Sequence, residues 1–247
     1  MERLIMNWLF PSQTGQEGSD AYEVDRNDIL QTRLQGSCQW ILNTPDYQRW
    51  NSSGDHCDRF LWITALPGAG KSVLSAFLTD YHEHHMSDPV LYFFFTHSNN
   101  NKNTAVAAVR SMLYQALNFV RKKSTTPKQL HEDVHACAKA NAKALPKLCN
   151  LLLQCLAELT NPIIVVDGVD ECIDNSSIYR IVRDLAQDTP TRIIATARPN
   201  IVSNVEVASI LTLQMGLNQT RGDIEAYIAH RTQKGLLCST RSTTGDF

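Results

Sequence analysis

An α/β fold, with a parallel sheet covered by helices on both faces, follows from three features of the 247-residue sequence. Short apolar, β-prone runs alternate with segments whose apolar residues recur at helical intervals, a pattern that calls for crossover connections between parallel strands. Phe60-Leu61-Trp62-Ile63 passes through a glycine-containing loop straight into Ser72-Val73-Leu74-Ser75-Ala76-Phe77-Leu78, which makes a strand, a loop and a helix in succession. Pro162-Ile163-Ile164-Val165-Val166 is a continuous apolar run of the kind buried on both faces of a sheet, and it ends in Asp167-Gly168-Val169-Asp170-Glu171.

The remaining elements can be placed around these. Residues 1–27 read as an N-terminal extension, with a short amphipathic patch at Ile5-Met6-Asn7-Trp8-Leu9-Phe10 and then a polar linker. Residues 28–58 read as a helical segment packed on the core, with Ile29, Leu30, Leu34, Trp40, Ile41 and Leu42 as its apolar positions. Trp40 and Trp50 are expected as core anchors rather than stacking platforms. Residues 59–218 form the main domain. After its first strand and helix come a strand over 90–96, an Asn-rich turn at 99–103 and a helix over 104–120. Helical segments over 127–142 and 145–159 follow, and Asn161-Pro162 stops the second before the acidic strand. Residues 219–247 open with a helix at Asp223-Ile224-Glu225-Ala226-Tyr227-Ile228 and turn polar and Ser/Thr-rich from Gln233.

The loop between the first strand and helix carries the clearest chemistry. Gly68 and Gly70 permit tight turning without side chains, so successive N–H groups from Gly68 to Ser72 can converge on phosphate oxygens. Pro67, Gly68, Ala69, Gly70, Lys71, Ser72 and Val73 thus form a candidate nucleotide-binding stretch. Lys71 supplies a compact positive charge, Ser72 a hydroxyl for Mg²⁺, and the helix that begins there a partial positive charge. Strict forms of this pattern open with glycine where this chain has Ala65, which is tolerable if its φ stays negative. A flexible turn before an ordinary helix is the plainer alternative.

The acidic strand end completes a candidate Mg²⁺-nucleotide site. Asp167 is placed to hold Mg²⁺, a hard cation that prefers oxygen ligands. Glu171 is the candidate for polarising an attacking water, and Asp170 for sharing or orienting that role. A third apolar strand, Arg192-Ile193-Ile194-Ala195-Thr196-Ala197, ends at Arg198-Pro199. There Thr196 is expected to hydrogen-bond the water, and Arg198, always charged, to sense the γ-phosphate. Lys71, Asp170, Glu171 and Arg198 make up the candidate catalytic set, with a surface arginine before a loop as the plainer reading of Arg198.

These residues resemble those of the NACHT-type signal-transduction (STAND) P-loop NTPases, in the fungal form with a nephrocystin-like N-terminal module. The resemblance rests on Pro67-Gly68-Ala69-Gly70-Lys71-Ser72, Asp167-Gly168-Val169-Asp170-Glu171 and Thr196-Ala197-Arg198-Pro199. Further carriers are Tyr92-Phe93-Phe94-Phe95, Val109-Arg110-Ser111-Met112-Leu113-Tyr114-Gln115 and Gly36-Ser37-Cys38-Gln39-Trp40-Ile41-Leu42. It implies a three-layer P-loop NTPase with strand order 5-1-4-3-2 and Ile210-Leu211-Thr212-Leu213 as fifth strand. It also implies a switch that binds ATP or GTP with Mg²⁺, a helical lid of which residues 219–247 hold only the start, and self-association or protein partners. A core without that lid is expected to bind nucleotide and hydrolyse it slowly. The alternative is a catalytically passive scaffold or decoy that pairs with full-length relatives. A small-molecule kinase would need phosphate-clamping lid arginines, which the sequence does not offer.

Composition limits the other classes. With 43% hydrophobic and 19% charged residues and a net charge of −2, the chain can bury a core and has no electrostatic bias toward nucleic acid. No apolar run is long enough to span a bilayer, and the Leu4–Phe10 patch lacks the form of a secretory signal, so a cytoplasmic location is expected. The seven cysteines show no short paired spacing and read as reduced. His82, His84 and His85 read as a polar helix end rather than a metal site.

Overall fold

The computed structural model describes residues 2–10, 17–52, 55–85, 89–123, 127–199 and 210–241. Among them five strands form one parallel sheet in the order β2-β3-β4-β1-β5: β1 Phe60–Thr64, β2 Val90–Phe94, β3 Ile163–Asp167, β4 Arg192–Ala197 and β5 Leu211–Gln214. Read from the other edge this is the expected 5-1-4-3-2. Helices α4 (Lys71–His85), α5 (Ala105–Arg121), α6 (Lys128–Lys139), α7 (Leu145–Ala157) and α8 (Asn175–Asp188) follow the strands in alternation, making a three-layer α/β fold.

The period of two along each strand divides the core in two. Leu61, Ile63, Val90, Tyr92, Phe94, Ile163, Val165 and Ile194 face α4. Phe60, Trp62, Leu91, Phe93, Ile164, Val166, Ile193 and Ala195 face the α5–α8 layer. Both faces of β3 are therefore dry, which explains its unbroken apolar sequence. At Tyr92 the outer, unpaired edge of β2 is satisfied by a side chain: Gln115 on α5 accepts from the Tyr92 N–H at 2.9 Å and donates to the Tyr92 carbonyl at 2.8 Å. One amide thus replaces a missing strand neighbour.

The N-terminal region departs from expectation. Helix α1 (Glu2–Leu9) docks by Ile5, Trp8 and Leu9, all buried, and the Trp8 indole N–H donates to the Ala142 carbonyl at 2.7 Å. The polar stretch expected as a linker is helical from Glu17 onward. There α2 (Glu17–Thr32) lies along α4 and β2, tied by the Arg26–Glu83 and Lys102–Asp25 ion pairs. The rest of the expected linker, residues 11–16, lies outside the described residues.

The apolar positions over 28–50 do not share one helix. Gly36 and Cys38 take positive φ of 86° and 70° and turn the chain through a 3-10 turn, Gln39–Asn43, before Pro45 opens α3 (Pro45–Ser52). Trp50 is fully buried there, its indole N–H shared by the Arg59 and Ile193 carbonyls, while Trp40 is half-buried.

At the other end, helix α9 spans Leu217–Arg241, starting six residues before Asp223 and running on into the polar, Ser/Thr-rich segment that begins at Gln233. Asp223 fastens it to the core by accepting from the Cys38 N–H at 2.7 Å. The last stretch of the expected tail, residues 242–247, lies outside the described residues.

Candidate functional site

Strand β1 delivers its loop from inside the sheet, because Thr64 pairs with both Ala197 of β4 and Gln214 of β5. Ala65 continues this pairing, its N–H donating to the Ala197 carbonyl at 3.1 Å, and positive φ begins only at Gly68 (76°) and Gly70 (91°). Ala65 is thus unstrained where stricter versions of the pattern have glycine. A β-carbon on Gly70 would meet the Met215 methyl at 3.6 Å, an ordinary contact, so backbone conformation rather than space selects glycine here.

Helix α4 begins at Lys71, with the Leu74 N–H donating to the Gly70 carbonyl at 2.9 Å. The amides of its first turn have no helical acceptor, so they and the loop N–H groups form a concave donor surface. Pro67 and Gly68 are exposed, while Ala69, Gly70, Lys71, Ser72 and Val73 are half-buried. The Lys71 ammonium folds back on its own loop, donating to the Ala65 and Leu66 carbonyls at 3.0 and 3.2 Å.

Asp167, the last residue of β3, is 4% exposed. Its Oδ1 accepts from the Ser75 hydroxyl at 2.8 Å and from the Thr196 hydroxyl at 2.7 Å. Burial holds the carboxyl above the usual carboxylate range. Hydrogen bonds from Ser72, Thr196 and Ser75 oppose this, and the nearby Glu171 charge adds to it. Ser72 therefore reaches Asp167 across the space that separates the loop from β3. None of the groups acting on this buried carboxylate is a cation, and an oxygen-rich donor set short of positive charge suits a hard divalent ion.

The other acidic residues are spoken for by main chain and arginine. Gly168, at φ 68°, lifts the chain into a 3-10 turn, Val169–Glu171. Glu171 Oε2 accepts from the His97 N–H at 2.9 Å, just beyond β2. The Asp170 side chain, 6% exposed, accepts from the Arg198 N–H at 3.1 Å and from Arg198 Nε at 2.9 Å. Arg198 itself remains half exposed. Thr196 differs from expectation: it is fully buried, accepts from the Gly168 N–H at 3.0 Å and donates to Asp167, so its hydroxyl serves the carboxylate rather than a water.

The ends of β1, β3 and β4 thus bring the loop, Asp167, the Asp170–Glu171 pair, Thr196 and Arg198 to one rim. The sequence reading missed Ser75 and the His97 amide. Ser75 was detectable as the hydroxyl one helical turn beyond Ser72 on the same face. The His97 amide had no signal, since any residue offers an N–H.

Among the described residues no group of three or more His, Cys, Asp or Glu is placed to hold a metal ion. His84 and His85 cap the end of α4, their Nδ1 atoms meeting the Asp80 and Tyr81 carbonyls. His82 instead belongs to the core, fully buried and 3.0 Å from the Tyr47 hydroxyl. Cys38, Cys57, Cys137, Cys149, Cys155 and Cys172 are free thiols, and among the described residues no helix is long and apolar enough to cross a membrane.

Comparison with known proteins adds three findings. The family model described as "Nephrocystin 3, N-terminal" matches residues 36–198. The chain is 23% identical over 208 residues to "Vegetative incompatibility protein HET-E-1" of Podospora anserina, an alignment covering 80% of this chain and 15% of that protein. Similar solved structures include the Aeropyrum pernix ORC1 protein in complex with DNA, at TM-score 0.48 and 14% identity over 91% of this chain and 53% of that one. Another is Drosophila ORC bound to AT-rich DNA and Cdc6, at TM-score 0.43 and 11% identity over 85% of this chain and 66% of that one.

Proposed function

Because the chain belongs to the nephrocystin 3 N-terminal family, we propose that it is a NACHT-like module that binds a nucleoside triphosphate, ATP or GTP, together with Mg²⁺. The observation that carries this reading is the meeting of the Gly68–Ser72 loop and the helix it opens with Asp167, which accepts from Ser75 of that helix and is acted on by the Ser72 hydroxyl. In this reading the nucleotide-binding domain comprises residues 59–218, residues 28–58 are a helical segment packed on it, residues 219–247 hold the start of the helical lid and a polar tail, and the module serves as a switch in cytoplasmic signalling. HET-E-1, described as a vegetative incompatibility protein, supports the signalling part by likeness alone.

Each residue has a stated task. The N–H groups from Gly68 to Ser72 bind the phosphates, and Lys71 must leave the Ala65 and Leu66 carbonyls to join them. Ser72 and Asp167 would hold Mg²⁺, whose contribution when bound is to neutralise phosphate charge. Glu171 is the group for accepting a proton from water. It is held by a single main-chain N–H, from which it can be drawn away. Arg198 is tied through Nε to Asp170, which restrains its reach toward a phosphate. That ion pair favours slow turnover and gives the passive scaffold, pairing with full-length relatives, its physical basis as the second reading.

Calorimetric titration of ATP and GTP with Mg²⁺ into the wild-type chain and Lys71→Ala tests the proposal. Binding by the wild type that weakens at least tenfold in the variant, about 1.4 kcal/mol, is the expected result. Equal affinities in the two proteins would refute it.

A further inference from the structure

We propose that Ser75 is a positioning residue for the cation site: it acts with Thr196 to fix the Asp167 carboxylate through Oδ1 and so reserves Oδ2 for a divalent cation. The inference rests on the Mg²⁺-nucleotide reading and adds to it a residue outside the loop and the acidic strand end.

Ser75 is fully buried in a stretch of α4 that is otherwise apolar, beside Leu74, Ala76, Phe77 and Leu78. A hydroxyl in such a place is costly unless paired, and the cheapest partner for a helical serine or threonine is the carbonyl one turn back. Thr79, one turn further along, takes that option and donates to the Ser75 carbonyl at 2.9 Å. Ser75 does not. Its hydroxyl crosses to Asp167 Oδ1, 92 residues away in sequence, at 2.8 Å.

Thr196 approaches the same oxygen from β4 at 2.7 Å, while its own oxygen is occupied by the Gly168 N–H. Two donors from two different elements fill the two lone-pair directions of Oδ1. Turning the carboxylate would break both bonds at once inside a dry site, so it is held in one orientation before any ligand arrives. Neither of these two donors engages Oδ2, and the third hydroxyl acting on the carboxylate, that of Ser72, is itself assigned to the cation.

The test measures binding of mant-labelled ATP or GTP, whichever the wild type takes, first in EDTA and then across a Mg²⁺ titration. Ser75→Ala is expected to leave the EDTA affinity within about twofold of wild type. The Mg²⁺ concentration needed for half-maximal tightening should rise by about tenfold, the lower end for partners that orient a metal ligand. Ser75→Thr, which keeps the hydroxyl, should restore much of that loss. Should Ser75→Ala fail to fold by circular dichroism, Thr196→Val carries the same expectation and Thr196→Ser the same rescue.

A merely structural serine would weaken both conditions alike or neither. An unchanged Mg²⁺ midpoint, or equal losses with and without Mg²⁺, would overturn the assignment while leaving nucleotide binding intact. A wild-type chain that binds neither nucleotide would overturn the functional reading and this inference with it.

Discussion

His82 shows how one residue can tie stability to pH. Burial, then the charges of Arg192 and His85, push its pKa down from 6.5 to about 4. It sits against Tyr47, Trp50 and Tyr81, and its second ring nitrogen, Nδ1, is buried without a hydrogen-bond partner. Because the folded-state pKa lies below the unfolded one, the unfolded chain takes up the proton first. The stabilisation is complete above pH 6.5 and is lost as pH falls toward 4. The loss between about pH 7.5 and about pH 5 should be about 2 kcal/mol, and His82→Gln should lack most of it. Urea unfolding of both proteins at the two pH values checks this; parallel pH dependences would show that another group is responsible. At the candidate site the same scale governs Asp167, whose burial is tolerable because three hydroxyls point at it.

Among the elements, α1 has the most surprising place. Eight residues are too few to hold a helix in water, so tertiary contacts must hold it. Trp8 supplies them, 3% exposed and hydrogen-bonded to the Ala142 carbonyl beyond the end of α6, while Phe10 sets its ring edge-on to Tyr114 of α5 at 5.5 Å. Trp8→Ala should therefore cost about 3 kcal/mol, as for a buried aromatic, rather than the few tenths expected of a surface residue. The urea midpoint of the variant decides between the two. Helix α9 contrasts with α1: Leu217, Ile224, Tyr227 and Ile228 are all exposed, and Asp223 provides its one described side-chain bond to the segment ahead of β1.

At the scale of the whole molecule, a ligand that binds only the folded state must stabilise it. Mg²⁺-nucleotide at about a hundred times its Kd should add about 3 kcal/mol and raise Tm by roughly 5–10 °C. Lys71→Ala should show about half of this rise or less at the same concentration, and a thermal scan with and without nucleotide measures it. The parts of this molecule legible in the sequence are those written in neighbouring residues. The dry strand Ile163–Val166, the turn at Gly68 and Gly70, and the hydroxyl after Lys71 each follow from local periodicity or backbone freedom. The break at Gly36 and Pro45 is legible in the same way, although the apolar spacing on either side suggests one helix. Other features depend on strands that are neighbours in space and distant in sequence. Asp167 meets Thr196 because β3 lies beside β4, and Glu171 meets the His97 amide because β3 also lies beside β2. Composition and spacing determined that this chain would fold as layered α/β and where its glycine loop and acidic strand end would fall. Only the packed sheet decided that Thr196 serves a carboxylate, that Arg198 rests on Asp170 and that Ser75 belongs to the site, since register between distant strands leaves no mark in any short stretch of sequence.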